Sequence, residues 1–192
     1  MIKDNTLTIV IPIKNPPCID KFISENLHYF NQYRVIVIDS GGGEKLREFA
    51  TVYLNQELCL TDARKLGITL VKTPFLLNLD CDVKIPEGYI ELALELLKDN
   101  VGAVSIFYNN INHCQGALEF GISLWQTDIL KKLYDFSFTC VCNGNIIKIG
   151  EGVYSRLQAG WCECNYMWRK LKDDGYKLET LNLRAIHLRE MD

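Results

Sequence analysis

Two hydrophobic rhythms alternate over the first hundred or so residues of the chain. Leu7–Ile13 is a continuous β-branched and apolar run stopped by Asn15, Pro16 and Pro17, which predicts a buried strand. Ile19, Phe22, Ile23, Leu27 and Phe30 then recur at helical spacing. Val35–Ile38 predicts a second buried strand, ending in the flexible turn Asp39-Ser40-Gly41-Gly42-Gly43. A short helix with Leu46, Phe49 and Ala50 on one face follows. The next helix is expected to start at Thr61 as N-cap and to bury Ala63, Leu66 and Leu70. Phe75–Leu79 is the third strand. Pro86 suits the first position of a helix striped by Ile90, Ala93, Leu94 and Leu97, and Val101–Tyr108 is another strand.

This alternation predicts an α/β fold, a mainly parallel sheet with helices on both faces. In such sheets ligands bind outside the carboxyl ends of the strands. Asn15, Asp39 and the pair Asp80/Asp82 each follow a predicted strand, so they should converge on one crevice.

The second half is less regular. Residues 109–115 read as a loop, Leu118–Trp125 as a strand containing Gly121, and Asp128–Leu133 as a short helix. Phe136–Glu151 reads as an edge strand and turn. Cys164, Met167, Trp168 and Leu171 give a clear helical stripe over Glu163–Lys172, punctuated by Gly175. Tyr176–Leu183 returns as a strand before Ala185-Ile186-His187.

With 192 residues and no linker, repeat or low-complexity tract, the expectation is one domain over 1–192. A net charge of −3 argues against a generally basic nucleic-acid binder. No uninterrupted apolar run is long enough to span a bilayer. Asp4, Asn5 and Pro12 do not fit a secretory signal, so the expected location is the cytoplasm. Eight cysteines are many for that compartment. The C-x-C pairs Cys140/Cys142 and Cys162/Cys164 are too tight for the usual structural zinc spacing, and buried thiols are the leading expectation, ahead of disulfides.

Candidate chemistry centres on Asp80-Cys81-Asp82. Carboxylates at i and i+2 on one turn suit a hard divalent cation such as Mg²⁺ or Mn²⁺. Such an ion can join a protein carboxylate to a diphosphate, which points to an enzyme acting on an activated, phosphate-bearing small molecule.

The order of these motifs resembles the GT-A glycosyltransferases, particularly the inverting family 2 type. IVIPIKN resembles that family's opening strand, VIVIDSGGGEK its second strand and acidic turn, and LTDARKLGI the segment whose arginine approaches the nucleotide diphosphate. LNLDCDV is similar to its metal motif, and EFGISLWQTDIL to its acceptor-side segment. WCECNYMWRKLKDDGYKL resembles the helix that opens with the catalytic acid, and Ile186-His187 the late histidine of the metal site.

The resemblance implies a three-layer α/β/α sandwich, with about 1–100 binding the nucleotide-sugar and about 101–192 facing the acceptor. It implies metal-dependent, inverting transfer of a sugar from a nucleoside-diphosphate donor, a UDP- or GDP-sugar first among them, to a hydroxyl of a protein glycan, lipid or saccharide. Asp82 is expected to bind the metal, with Asp80 on the ribose or the ion's water shell and His187 as a further ligand of metal or diphosphate. Cys81, between the aspartates, should point into the core.

Pro12 and Lys14 should line the base pocket, although the family often has an aromatic where Lys14 stands. Asp39 is expected either to accept a hydrogen bond from the base or to close an Asx-turn over its glycines. Arg64 is expected to pair with diphosphate oxygens or to be a solvated helix arginine. Glu163 is the candidate general base, or else stabilises its helix terminus; Glu151 is the fallback. The family's acidic motif is commonly Glu-Asp, whereas position 164 here is Cys. Trp161, Trp125 and Tyr108 suit either sugar stacking or core packing.

Small stand-alone members of this kind resemble microbial and archaeal-virus proteins, which would place a viral chain in the host cytoplasm. Two alternatives stand beside this reading: a degenerate nucleotide-sugar-binding module without catalysis, favoured by Cys164, and a nucleotidyltransferase. The latter lacks support because LTIVIPIKNPPC has prolines where a glycine-rich phosphate loop belongs.

Overall fold

The computed structural model describes residues 3–108, 118–134, 138–140, 147–149 and 163–188. Among the described residues ten strands and five α-helices follow in chain order: β1 (Asp4–Ile13), α1 (Ile19–Gln32), β2 (Tyr33–Asp39), β3 (Val52–Asn55), α2 (Leu60–Leu70), β4 (Phe75–Leu79), β5 (Val83–Lys84), α3 (Tyr89–Leu96), β6 (Val101–Tyr108), β7 (Ile122–Gln126), α4 (Thr127–Leu133), β8 (Phe138–Cys140), β9 (Ile147–Ile149), α5 (Glu163–Asp173) and β10 (Lys177–His187). Eight strands form one sheet in the order β3-β2-β1-β4-β7-β6-β10-β5. Only β7 and β5 run against the rest.

The sheet divides two cores. On one face Leu7, Ile9, Ile11 and Ile13 of β1 meet Phe22 and Phe30 of α1 and Ile90 of α3. On the other, Val10 meets Ala63 and Ile68 of α2, with Leu130 of α4 and Met167 of α5 in the same cluster. The period-two alternation of β1 therefore feeds both layers, which is why its sequence reads as an unbroken apolar run. Close approach sets α2 in place: a Cβ on Gly67 would lie 2.4 Å from Val10 Cγ1. Removing that methyl lets the helix settle on β1 and fixes where Arg64, nearly one turn earlier, projects.

Several sequence expectations need correction. Thr61 is not an N-cap: α2 starts at Leu60 after Cys59, and no side chain caps it. Thr61 instead lies within the helix, its hydroxyl 3.1 Å from Cys59 Sγ. Pro86 does not open α3; the chain turns through Gly88 at φ +74 and the helix begins at Tyr89. The short helix after the glycines is a 3₁₀ turn, Glu44–Leu46. Residues 118–121 precede β7 rather than forming its first half, and the Gly121 carbonyl accepts the Asp80 amide at 2.8 Å. The proposed edge strand within 136–151 is a separate two-stranded pairing of β8 with β9. The half-exposed edge strand β3 and the two-residue β5 carry too short an apolar pattern to be read in advance.

Gly175 ends α5 as expected, at φ +82, with the Tyr176 amide returning to the Leu171 carbonyl at 3.0 Å. β10 is longer than predicted. An irregularity between Thr180 and Arg184 lets it continue beside β6 and then pair with β5. Residues 109–115 and most of 136–151 lie outside the described residues.

Candidate active site

The aspartate pair sits where β4 ends. Asp80 is tied to the turn before β7 through its amide, and the Val83 amide donates to the Asp80 carbonyl at 3.2 Å. The short β5 that follows pairs antiparallel with β10, setting His187 opposite Val83. The Leu188 amide also reaches the Asp82 carbonyl at 2.7 Å. A histidine over a hundred residues away is thereby brought beside the pair: His187 Nε2 lies 3.5 Å from Asp82 Oδ2. The Tyr108 ring stands edge-on to the imidazole at 5.6 Å between centroids. Burial pushes the Tyr108 phenol well above its ordinary value, and the charges of Asp80, Glu119 and Asp82 push it further, so it stays protonated.

Asp80 turns the other way. Its Oδ1 accepts from Arg64 Nη2 at 2.5 Å, while Arg64 Nη1 donates to Glu163 Oε2. The guanidinium lies over the Phe120 ring at 5.3 Å. Arg64 is thus a buried bridge between two carboxylates, 4% exposed, and not a solvated helix arginine. Burial pulls its pKa down, but the Asp80 charge and hydrogen bond outweigh this and raise it above the ordinary arginine value.

Glu163 opens α5, and its second oxygen accepts from the Tyr134 hydroxyl. Tyr134 is stacked on Phe120 with the rings 6° from parallel. The next residue, Cys164, accepts the Phe120 amide at its sulfur, 3.4 Å away. The side chain at 164 is therefore directed to the Phe120 backbone. An unbroken line of polar contacts runs Asp80–Arg64–Glu163–Tyr134, along one edge of the strand ends.

Gly121 makes this line possible: a Cβ there would come within 2.3 Å of Asp80 Oδ2 and 2.9 Å of the Tyr108 hydroxyl. Neither Tyr134 nor Phe120 was singled out from the sequence. Tyr134 directly follows the short helix expected over Asp128–Leu133, and only the fold reveals that its hydroxyl reaches across to α5.

A second cluster forms where β1 and β2 end. The Ser40 amide donates to the Ile13 carbonyl at 2.7 Å and the Asn15 amide to the Gly41 carbonyl at 2.8 Å, lacing the two loops together. Asp39 is fully buried. Its Oδ1 accepts from the Gly41 and Gly43 amides at 2.8 and 3.1 Å, and its Oδ2 from the Tyr53 hydroxyl. The carboxylate thus orders its own loop, as an Asx-turn would. Tyr53, missed in the sequence, is pushed up to about 12 by burial and then by this bond to Asp39. Pro12 is buried in β1 and Lys14 is exposed just beyond it.

Trp125 is a core residue, 0% exposed, with its indole nitrogen donating to Ser123 Oγ at 2.7 Å. Cys81 is buried within the sheet core as expected. Cys18, Cys59, Cys81 and Cys164 are thiols. Cys142, Cys162, Glu151 and Trp161 lie outside the described residues.

As a cation site, Asp82 and His187 offer oxygen and imidazole donors from one side, a set compatible with Mn²⁺ or Mg²⁺. Among the described residues no three acidic, His or Cys side chains close around a point, since Asp80 is drawn toward Arg64. The protein donors thus fit an open site that a diphosphate would have to complete.

The fold and the strand-end site define a GT-A type domain. The sequence pattern of the glycosyl transferase family 2 domain matches residues 8–146, and the chain belongs to that family. The fold is similar to that of a mannosyltransferase from Pyrobaculum calidifontis solved in complex with GDP-Man and Mn²⁺. Identity is 16% and the TM-score 0.67, over 95% of this chain and 56% of that one. It is also similar to TarS from S. aureus, with 14% identity and a TM-score of 0.59, over 94% of this chain and 60% of that one. A third likeness is glucosyl-3-phosphoglycerate synthase from Mycobacterium tuberculosis, solved with Mn²⁺ and UDP-glucose. There identity is 14% and the TM-score 0.52, over 66% of this chain and 57% of that one. No curated protein matches the chain. The chain therefore spans under two thirds of the length of these solved relatives.

Proposed function

We propose that this chain is a metal-dependent glycosyltransferase that moves a sugar from a nucleoside-diphosphate donor to a hydroxyl acceptor with inversion. The observation that carries the reading is the Arg64 bridge. One guanidinium joins the aspartate that ends β4 to the glutamate that opens α5, so a donor-side acid and a candidate base lie one arginine apart.

In this reading Asp82 and His187 would hold Mn²⁺ or Mg²⁺, with Asp80 on the donor's ribose or the ion's water shell. The cation, when bound, offsets the charge that grows on the departing diphosphate. Asp39 and its laced loop shape the base pocket beside Pro12 and Lys14. Arg64 shares its charge between the diphosphate region and Glu163. Glu163 takes the acceptor hydroxyl's proton as that oxygen attacks the anomeric carbon and the nucleoside diphosphate leaves. A carboxylate has about four lone-pair positions, and Arg64 and Tyr134 use one on each oxygen, so a position remains for that proton. The donors bound by the solved relatives, GDP-mannose and UDP-glucose, favour a UDP- or GDP-sugar here.

Titration calorimetry with UDP, GDP and dTDP, each with and without Mn²⁺, tests the donor side. Metal-dependent binding of one of them is expected, and its absence would overturn the reading. Glu163→Gln is expected to abolish transfer while donor affinity changes by less than about twofold, as for a group needed only in the transition state. A second reading, a binding module without catalysis, draws on Cys164 standing where the family commonly has its second acid. Metal-dependent binding without turnover in the unaltered protein would favour it.

A further inference from the structure

We infer that Tyr134 is a positioning residue for the reaction, acting through Glu163 by holding its Oε1 while Arg64 holds Oε2. The inference rests on the reading of Glu163 as the base and deepens it.

Three observations support it. The Tyr134 hydroxyl is directed at Glu163 although the two residues come from different elements, α5 and the end of α4, 29 positions apart. Its ring is clamped: 2% exposed, stacked on Phe120 at 5.7 Å, with its amide closing the last turn of α4 onto the Leu130 carbonyl at 2.8 Å. Phe120 in turn lies beneath the Arg64 guanidinium and meets Trp125 edge-on at 5.8 Å. The two groups that grip the carboxylate therefore share one aromatic floor, and the oxygens of Glu163 are fixed by donors that do not move independently. Burial raises the Tyr134 phenol so far above its ordinary value that it remains a neutral donor at any working pH.

The chemical consequence is orientation. A carboxylate gripped on both oxygens presents its remaining lone pairs in fixed directions, and general-base catalysis depends on that alignment. Without the Tyr134 hydroxyl, Glu163 can turn about its terminal bond around the Arg64 contact. Donor binding, which occurs at Asp80, Asp82 and His187, should be insensitive to the loss.

The test is a double-mutant cycle read as nucleoside diphosphate released from UDP-glucose or GDP-mannose with Mn²⁺, with water or a p-nitrophenyl glycoside as acceptor. Tyr134→Phe keeps the ring and its stack and removes only the hydroxyl. It is expected to lower kcat roughly tenfold, the loss of one hydrogen bond to a charged group, with donor KM and calorimetric Kd unchanged. In a Glu163→Gln background, where only the residual nucleoside diphosphate release seen at high enzyme concentration remains, the same change should lower that residual rate no further.

An unchanged kcat in Tyr134→Phe would overturn the inference, as would an equal, additive loss in both backgrounds, which is the mark of a merely structural role. A shift in donor Kd would also overturn it, by moving the effect to the wrong side of the site. Full turnover in Glu163→Gln alone would instead dismiss the reading of Glu163 as base, and is distinguishable because it does not involve Tyr134.

Discussion

At the scale of single residues, two positions separate metal binding from the shape of the strand-end turn. Asp82 is 5% exposed and faces His187, and under the proposed function it is the carboxylate that binds the cation. Asp82→Asn keeps the volume and removes the charge. It is expected to abolish the difference between nucleotide binding with and without Mn²⁺, measured by calorimetry; an unchanged metal response would reassign the ligand. Gly121 tests the other aspartate. A methyl there would overlap Asp80 Oδ2 and also crowd the Tyr108 hydroxyl. Gly121→Ala should therefore rotate Asp80 off Arg64 and weaken metal-dependent nucleotide binding by tenfold or more. A variant with native affinity would show that Asp80 can relax without cost.

At the scale of elements, the sequence is clearest where burial is two-sided. β1, β2, β4 and β6 are continuous apolar runs because helices cover both faces, and their positions, and the acids that follow them, were legible from the chain alone. Element ends were less legible. Thr61 and Pro86 are good starting residues by local preference, yet α2 begins before the first and α3 after the second, set by packing on the sheet and by the turn at Gly88. The site was readable as separate residues and not as a connected line. No periodicity announces that the Tyr134 hydroxyl crosses to Glu163, or that a two-residue strand brings His187 to Asp82.

The seat of α2 on β1 offers a test at this scale. Gly67→Ala should gain about 1 kcal/mol of helix propensity. It would also drive a methyl into Val10, a β-branched side chain with little rotamer freedom, and overpacking of that kind costs ~1–3 kcal/mol. A lower urea midpoint is expected, with turnover reduced because Arg64 moves with the helix. A raised midpoint would mean that α2 does not rest on β1 this closely.

At the scale of the whole molecule, the phenols set the alkaline limit of the fold. Burial pushes Tyr29 and Tyr53 up to about 12, aided respectively by Glu91 and by the bond to Asp39. Burial also raises Tyr33, Tyr89, Tyr108 and Tyr134. In the unfolded chain these groups ionise near 10. Between pH 10 and 12 the unfolded state therefore binds fewer protons than the folded one, and stability falls as pH rises. The contribution is complete below pH 10 and is lost on passing through the folded values. Lys3, held low by burial, works in the opposite sense, against the six phenols and Lys132, which its bond to Asp174 raises. Urea midpoints should stay level from pH 8 to 9.5 and then decline steadily to pH 12. Tyr29→Phe retains the packing but gives up the hydroxyl's bond to the Pro86 carbonyl at 3.0 Å, so it should start less stable and decline less steeply. Parallel curves for the variant and the unaltered protein would show that the phenols do not govern the alkaline transition.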